Sequence, residues 1–276
     1  MSTTLSGHNA LITGGGSGIG LACAMAFARD GAAVTLMGRN RDKLEAAAES
    51  IRANGGAAEI AAGDVGNEAD VIEAVKVAER SGPLTIAVAN AGIGGLGPLI
   101  ATDAAQWDAV IKTNLTGTFY TFKHAGAAIA RAGGGAMCAI SSIAGARTHR
   151  FMGPYCVSKA GIDMLVRNTA DELGIAKVRV NSVLPGLVDT EIAAGLFATG
   201  AVHADYLNCM PIRRTGTVDD IAAAVRFLCG PESSWVTGVN LSVDGGHHLR
   251  RGPDVEVFAR RFFGDDLTEG RARRDA

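Results

Sequence analysis

The stretch Thr13-Gly14-Gly15-Gly16-Ser17-Gly18-Ile19-Gly20 follows an apolar run of strand length, residues 10–12, and leads into a helical pattern over residues 18–30. Glycines in such a loop permit a tight turn, and they let backbone amides and the positive end of a helix approach a pyrophosphate. A glycine-rich loop alone is a weak signal. Its place between a first strand and a first helix makes it strong, so we expect a dinucleotide-binding loop rather than an ordinary flexible turn.

The same alternation of strand and helix continues along the chain. Apolar runs lie at residues 10–12, 33–37, 58–61, 84–88, 136–140, 178–183 and 239–243, and helical patterns lie near residues 18–30, 41–53, 67–80, 103–131, 155–173 and 218–229. Continuous apolar runs suit strands that are buried on both faces. The pattern predicts an α/β fold, a Rossmann-type doubly wound parallel sheet of about seven strands with helices on both faces, whose ligand lies at the carboxyl ends of the strands.

Composition narrows the class of protein. The 276 residues include 26 Lys+Arg and 28 Asp+Glu, and no run of 18 apolar residues occurs, so neither nucleic-acid binding nor membrane insertion is expected. Five widely spaced cysteines without a CxxC pair argue against a disulfide framework and a zinc site. Residues 1–8 lack the apolar core of a signal peptide, which favours a cytoplasmic protein. We expect one domain over residues 1–247 and a tail over residues 248–276.

The end of the second predicted strand bears on the choice of cofactor. Gly38 stands where an acidic residue would accept hydrogen bonds from the adenosine ribose, and Arg39 follows it. The arginine fork suits a phosphate, so NADP(H) is favoured and NAD(H) remains possible. The alternative is that Arg39 and Arg41 only begin a solvated helix.

Two further loops follow predicted strands. Asp64-Val65, after the third strand, could place a carboxylate near the adenine amino group. Asn90-Ala91-Gly92, after the fourth, could bring small residues under the cofactor. By spacing alone, ordinary turns explain both loops equally well.

A candidate proton-transfer site follows the fifth predicted strand. Ser142 lies at the strand end, Tyr155 comes thirteen residues later, and Lys159 follows one helical turn after Tyr155. An ammonium roughly 5 Å from the phenol oxygen, at an effective dielectric of about 20, would lower the tyrosine pKa by about two units from about 10. A Tyr-x-x-x-Lys pair alone is usually a solvated helix face, but together with the serine and the glycine-rich loop it predicts catalysis.

The order of these motifs resembles that of the short-chain dehydrogenase/reductase family, in its single-domain branch, over about residues 5–247. The matching motifs are Thr13-Gly14-x-x-x-Gly18-x-Gly20, Asn90-Ala91-Gly92, Thr113-Asn114-Leu115-Thr116-Gly117, Ser142, Tyr155-x-x-x-Lys159, Pro185-Gly186 with Thr190, and Asp244-Gly245-Gly246. The tail beyond His247 has no counterpart in the family pattern.

The resemblance implies a catalytic tetrad. In it Tyr155 transfers the proton, Ser142 holds the substrate oxygen, Lys159 binds the nicotinamide ribose and lowers the tyrosine pKa, and Asn114 helps to hold a relay water. It also implies hydride transfer between a nicotinamide and a secondary alcohol or ketone, and a homotetramer or dimer. The expected cofactor contacts are Gly14, Gly16, Ser17, Gly18, Ile19, Gly20, Arg39, Asp64, Val65, Asn90, Ala91, Gly92, Tyr155, Lys159, Pro185, Gly186, Val188 and Thr190, and no metal is expected. The competing hypothesis is a non-catalytic NADP-binding redox sensor or assembly partner on the same fold.

The long connection over residues 186–216 is predicted to be a substrate lid. Its apolar side chains, with Gly94, Gly95 and Gly97 on another wall, favour a mainly apolar substrate such as a 3-oxoacyl or cyclic ketone. Arg147, His149 and Arg150 could recognise an acidic group or belong to a solvated loop, and His247-His248 is expected on a surface turn.

The tail contains an amphipathic pattern. Residues 254–263 are expected to form a short helix that docks Val255, Phe258 and Phe262 against the lid or another subunit, with Gly264 as its stop. Residues 268–276 carry charge without an apolar face and are expected to be disordered.

Overall fold

A single parallel sheet organises the part of the chain that this computed structural model describes, residues 4–251 and 255–271. Its strands are β1 (Asn9–Thr13), β2 (Ala33–Gly38), β3 (Ala57–Ala62), β4 (Leu84–Ala89), β5 (Gly135–Ile140), β6 (Val178–Pro185) and β7 (Asn240–Val243). They lie in the order β3-β2-β1-β4-β5-β6-β7, and every pairing is parallel. The predicted doubly wound sheet of seven strands is confirmed. The strand order changes direction between β1 and β4, since β2 and β3 lie on one side of β1 and β4 to β7 lie on the other. This switch point opens a crevice at the carboxyl ends of β1 and β4.

Helices cover both faces of the sheet. Within the described ranges the α-helices are α1 (Gly18–Arg29), α2 (Arg41–Ala53), α3 (Glu68–Glu79), α4 (Ala104–Val110), α5 (Gly117–Arg131), α6 (Ile143–Ala146), α7 (Gly153–Leu173), α8 (Ala194–Phe197), α9 (Gly200–Cys209), α10 (Val218–Cys229) and α11 (Glu256–Thr268). The single helix predicted over residues 103–131 is divided by a π-helical segment, Ile111–Thr116. None of the helices in the described ranges has the length and apolar character needed to cross a bilayer.

The core consists of two apolar layers, one on each side of the sheet. Along β1, Leu11 packs with α3, α5 and α7, whereas its neighbour Ile12 packs with α1, α2 and α10. On β2, Leu36 and Met37 divide in the same way. Successive side chains of a strand point to opposite faces, so a strand buried on both faces needs apolar residues throughout. This requirement explains why continuous apolar runs marked the strands.

A third apolar cluster joins residues 186–216, the segment predicted to be a lid, to the tail. The buried members of this cluster are Leu187, Ala193, Val202, Tyr206, Met210, Val255 and Phe258. The tail helix α11 therefore docks against the lid of its own chain, which is one of the two expected partners. The ends of the lid segment are tied together, because Gly216 N donates to Leu187 O at 2.9 Å.

The tail differs from its prediction in three details. Phe262 is 63% exposed, and the docked face consists of Val255, Phe258 and Ala259 instead. Gly264 adopts φ 80° and ψ 168°, which kinks α11 without ending it, so that the helix continues to Thr268. Thr268 is buried, which corrects the expected start of disorder, and the expectation for residues 272–276 lies outside the described residues.

Candidate active site

The glycine-rich loop is packed too tightly for side chains at two positions. A Cβ on Gly14, whose φ is +64°, would lie 2.7 Å from Asn90 Nδ2, and one on Gly20 would lie 2.5 Å from the same atom. Asn90 Nδ2 in turn donates to Thr13 O at 2.9 Å and to Gly14 O at 3.2 Å. The residues after β4 thus fix the loop after β1. This is a structural reason for the Asn90-Ala91-Gly92 motif that strand-end spacing alone did not reveal.

A cleft of about 1150 Å³ runs along the carboxyl edge of the sheet from this loop to the tail. Most of the predicted site residues line it, namely Gly14, Ser17, Gly18, Ile19, Arg39, Asn90, Ala91, Gly92, Ser142, Tyr155, Lys159, Pro185, Gly186, Val188 and Thr190. Gly16, Gly20, Asp64, Val65 and Asn114 are outside its lining. Tyr206 of α9 and four residues of α11, Phe258, Arg261, Phe262 and Phe263, also line the cleft. Sequence patterns had placed only Phe258 and Phe262 of these at a docking surface, and had not predicted the cleft positions of Tyr206, Arg261 and Phe263.

Asp64 and Val65 are engaged within the protein. Asp64 Oδ1 accepts a hydrogen bond from Gly66 N at 2.8 Å, and Val65 is buried against Gly117 at the start of α5. A contact between Val65 and the cofactor would therefore involve its backbone rather than its side chain.

Lys159 is the buried cation of the site. Its Nζ donates to Ile140 O at the end of β5 at 2.8 Å and lies 5.5 Å from the centroid of the Tyr155 ring. Burial lowers the pKa of Lys159 to about 8, opposed by the nearby Asp163 carboxylate. The ammonium form still predominates at neutral pH, so the site contains a positive charge one helical turn from Tyr155.

Tyr155 and Ser142 both line the cleft, and their side chains interact. Burial raises the pKa of Tyr155, and the Ser142 side chain opposes this shift by hydrogen bonding to the phenol. We expected Lys159 to lower this pKa. The structure corrects that expectation, because desolvation of the phenol dominates. Tyr155 is therefore a protonated acid at neutral pH, the form that can donate a proton to a carbonyl oxygen.

Asn114 lies in the π-helical segment and is fully buried. Its Nδ2 donates to Ile93 O at 2.9 Å and to Ser158 Oγ at 3.1 Å, and its Oδ1 accepts from Ile93 N at 2.8 Å. The carboxamide therefore ties the segment after β4 to α7, which carries Tyr155. Short π-helical segments frequently occur at functional sites.

The basic residues near the mouth of the cleft have different roles. Arg150 pairs with Glu256 of α11, and Arg147 donates to His248 O, so both link the segment before α7 to the tail region. His149 lines the cleft. His247 is fully buried, which corrects its expected place on a surface turn.

Within the described residues, no group of three or more His, Cys, Asp or Glu side chains could hold a metal ion.

Comparison with known proteins identifies the family. A family model described as Enoyl-(Acyl carrier protein) reductase matches residues 14–248. The 2-(S)-hydroxypropyl-CoM dehydrogenase 3 of Xanthobacter autotrophicus is 39% identical over 252 residues, which are 89% of this chain and 98% of that protein. The chain belongs to the short-chain dehydrogenase/reductase family. Its expected class, an oxidoreductase of the dehydrogenase/reductase type, is confirmed.

Solved structures of similar proteins superpose closely on this one. A short-chain dehydrogenase/reductase from Mycobacterium ulcerans has a TM-score of 0.93 at 40% identity, with 96% of this chain and 98% of that chain covered. A gluconate 5-dehydrogenase from Burkholderia cenocepacia, solved in complex with NADP and tartrate, has a TM-score of 0.85 at 33% identity, with 89% of this chain and 96% of that chain covered.

The cleft of this short-chain dehydrogenase/reductase fits a nicotinamide dinucleotide. Ser17 is the N-cap of α1, but its side chain accepts no capping hydrogen bond, so the first-turn amides of α1 are free to bind an anion. Thr190 Cγ2 would lie 3.7 Å from a Cβ on Gly18, which places the start of the lid beside the same loop. A pyrophosphate would bind at this helix end, with the nicotinamide toward Lys159 and Tyr155.

Burial of His149 should make the stability of this short-chain dehydrogenase/reductase depend on pH. Burial lowers the pKa of His149 to about 4, and His247 and Arg147 act in the same direction, whereas a hydrogen bond to Arg147 O opposes them. Since the unfolded chain binds this proton near pH 6.5, stability is fully present above that pH and falls as the pH drops toward 4. Urea unfolding at pH 7 and pH 5 should show a loss of about 2 kcal/mol from this group. His149→Gln should remove that loss, whereas parallel curves for the two proteins would contradict the assignment.

Proposed function

We propose that this chain is an NADP(H)-dependent oxidoreductase that interconverts a secondary alcohol and a ketone, with Tyr155 as the acid and base. One observation carries the proposal. Tyr155, Ser142 and the buried ammonium of Lys159 meet in a single cleft whose other end is the glycine-rich loop at the start of α1.

The site contains the groups that reduction of a ketone needs. A bound reduced nicotinamide would supply the hydride to the carbonyl carbon. Tyr155, protonated at neutral pH, donates its proton to the carbonyl oxygen, and Ser142 hydrogen bonds to that oxygen. The Lys159 ammonium stabilises the phenolate that remains. In alcohol oxidation the phenolate accepts the hydroxyl proton, so the same residues serve both directions.

The preference for NADP(H) rests on Arg39. It lines the cleft at the end of β2 and has no ion-pair partner within the described residues. The two neighbouring cations are occupied, since Arg41 pairs with Glu45 at 3.7 Å and Lys43 pairs with Glu191 at 2.8 Å. Arg39 is therefore the residue we propose for the 2′-phosphate.

Arg39→Ala should weaken binding of NADPH by about tenfold to a hundredfold, because a charge-assisted hydrogen bond to phosphate is worth roughly 1.5–3 kcal/mol. Binding of NADH should stay nearly unchanged. Titration of both dinucleotides by protein fluorescence measures the two constants. Arg41→Ala, which removes a paired arginine outside the cleft lining, is the matched control. An equal loss for both dinucleotides would show a structural role, and a native preference for NADH would refute the assignment.

Apolar side chains surround the substrate end of the cleft and support a ketone with an apolar body, such as a 3-oxoacyl or cyclic ketone. They include Leu96, Met152, Leu187, Ile192, Leu196 and Phe258. A non-catalytic NADP-binding sensor would need the dinucleotide loop but not the buried proton donor. Oxidation of NADPH by a panel of ketones distinguishes the two functions, and a rate at background for the whole panel would favour the sensor. The homotetramer or dimer and the cytoplasmic location stay predictions from the sequence.

A further inference from the structure

The tail helix α11 is attached to three sides of the substrate end of the cleft. Phe258 packs into the apolar cluster of the lid, and Glu256 pairs with Arg150 ahead of α7. On the far wall, the ring of Phe263 lies against Gly97, where a Cβ would come 2.9 Å from Phe263 Cζ. These attachments hold α11 across the mouth, so its cleft-facing side chains belong to the substrate pocket.

The arginines of α11 and the segment that follows it differ in their partners. Arg260 pairs with Glu256, Asp265 and Glu269 at 2.6–3.0 Å. Arg271 likewise pairs with Asp266 at 2.9 Å and with Glu269. Arg261 pairs with no carboxylate in the described part of the chain, and it is the arginine of α11 that lines the cleft. Its guanidinium lies 5.8 Å from the centroid of the Phe262 ring, a contact that leaves its hydrogen-bond donors free.

The other ionisable groups that line this end do not neutralise or replace Arg261. His149 is uncharged at neutral pH because burial lowers its pKa to about 4. Lys159 is buried and bonded to Ile140 O, and Glu191 is paired with Lys43. The substrate end therefore combines apolar walls with one free guanidinium, whose fork matches the oxygens of a carboxylate, sulfonate or phosphate.

We propose that Arg261 binds an anionic group of the substrate, so that this enzyme acts on ketones or alcohols with an apolar body and an acidic end. The inference rests on the proposed oxidoreductase function and names its substrate class. Arg261 is then a specificity-determining residue contributed by the tail, outside the motifs of the catalytic tetrad.

The test compares two probes of nearly equal shape, 4-oxocyclohexanecarboxylate and its methyl ester. Calorimetric titration of the full-length chain in the presence of NADP⁺ gives the two dissociation constants, and reduction with NADPH gives kcat and KM. The native chain should bind the carboxylate at least about tenfold more tightly than the ester. Arg261→Ala should weaken carboxylate binding by about tenfold to a hundredfold, through KM rather than kcat, and leave the ester within about twofold. Arg261→Lys should retain part of the preference.

Arg29→Ala is the matched control, because Arg29 is an exposed arginine at the opposite end of α1 from the cleft. Equal losses for both probes in Arg261→Ala, no preference for the carboxylate in the native chain, or binding of neither probe would overturn the inference. Ketone reduction without any effect of Arg261 would leave the oxidoreductase function intact. Selective carboxylate binding without any reduction would instead refute that function and retain the anion site.

Discussion

Tyr155→Phe should lower turnover by at least about a hundredfold, the lower range for general acid–base catalysis, while binding of NADPH stays close to normal. The substitution removes the hydroxyl that hydrogen bonds with Ser142 and keeps the ring beside Lys159. Steady-state kinetics with a ketone that the native chain reduces measures the loss, and a thermal melt checks the fold.

Tyr120→Phe is the matched control for this experiment. Tyr120 lies on α5, is partly buried against the core and is outside the cleft lining. Its variant should therefore turn over like the native chain. Near-normal turnover of Tyr155→Phe would show that the proton comes from elsewhere. A Tyr155→Phe variant that had also lost NADPH binding would point to a structural defect rather than to missing chemistry.

The sheet and much of the cleft could be predicted from the sequence for one physical reason. Strands buried on both faces need uninterrupted apolar runs, and these runs located all seven strands to within two residues at each end. The carboxyl ends of parallel strands meet at one edge, so residues just after the runs had to come together. Ser142, Asn90 and Gly14 follow different strands and line the same cleft.

Three features depend on tertiary packing, so local sequence patterns could not predict them. Asn114 lies in a π-helical segment, which a period of 3.6 residues does not reveal. The pKa of Tyr155 follows from burial, whereas spacing suggested only its attraction to Lys159. The sequence pattern could not show which side of α11 is buried. Val255 and Phe262 fall on one helical face, but Val255 is buried and Phe262 is 63% exposed.

Removal of the tail should also have a large effect on catalysis, because the tail forms part of the proposed substrate pocket and no part of the sheet. All seven strands and the glycine-rich loop lie before Arg251. The truncated chain should retain Arg251, because the carbonyl oxygen of Arg251 accepts a hydrogen bond from His247 Nε2 at 3.2 Å. A chain that ends at Arg251 should therefore fold and bind NADPH within about twofold of the native affinity.

The same truncated chain should lose at least about a hundredfold in kcat/KM for the ketone. Removing α11 takes away Arg261 and the apolar contacts of Phe258 and Phe263, and burying an aromatic side chain fully is worth about 1.5–3 kcal/mol. Phe258→Asp should give a similar loss at full length by undocking α11. Val257→Asp, on the exposed face of the same helix, should not cause this loss.

Steady-state kinetics and NADPH titration on all three proteins distinguish a defect of the substrate pocket from a defect of the fold. If the truncated chain had the same kcat/KM as the native chain, α11 would not contribute to the substrate pocket. If it lost NADPH affinity and ketone turnover equally, the tail would instead support the sheet.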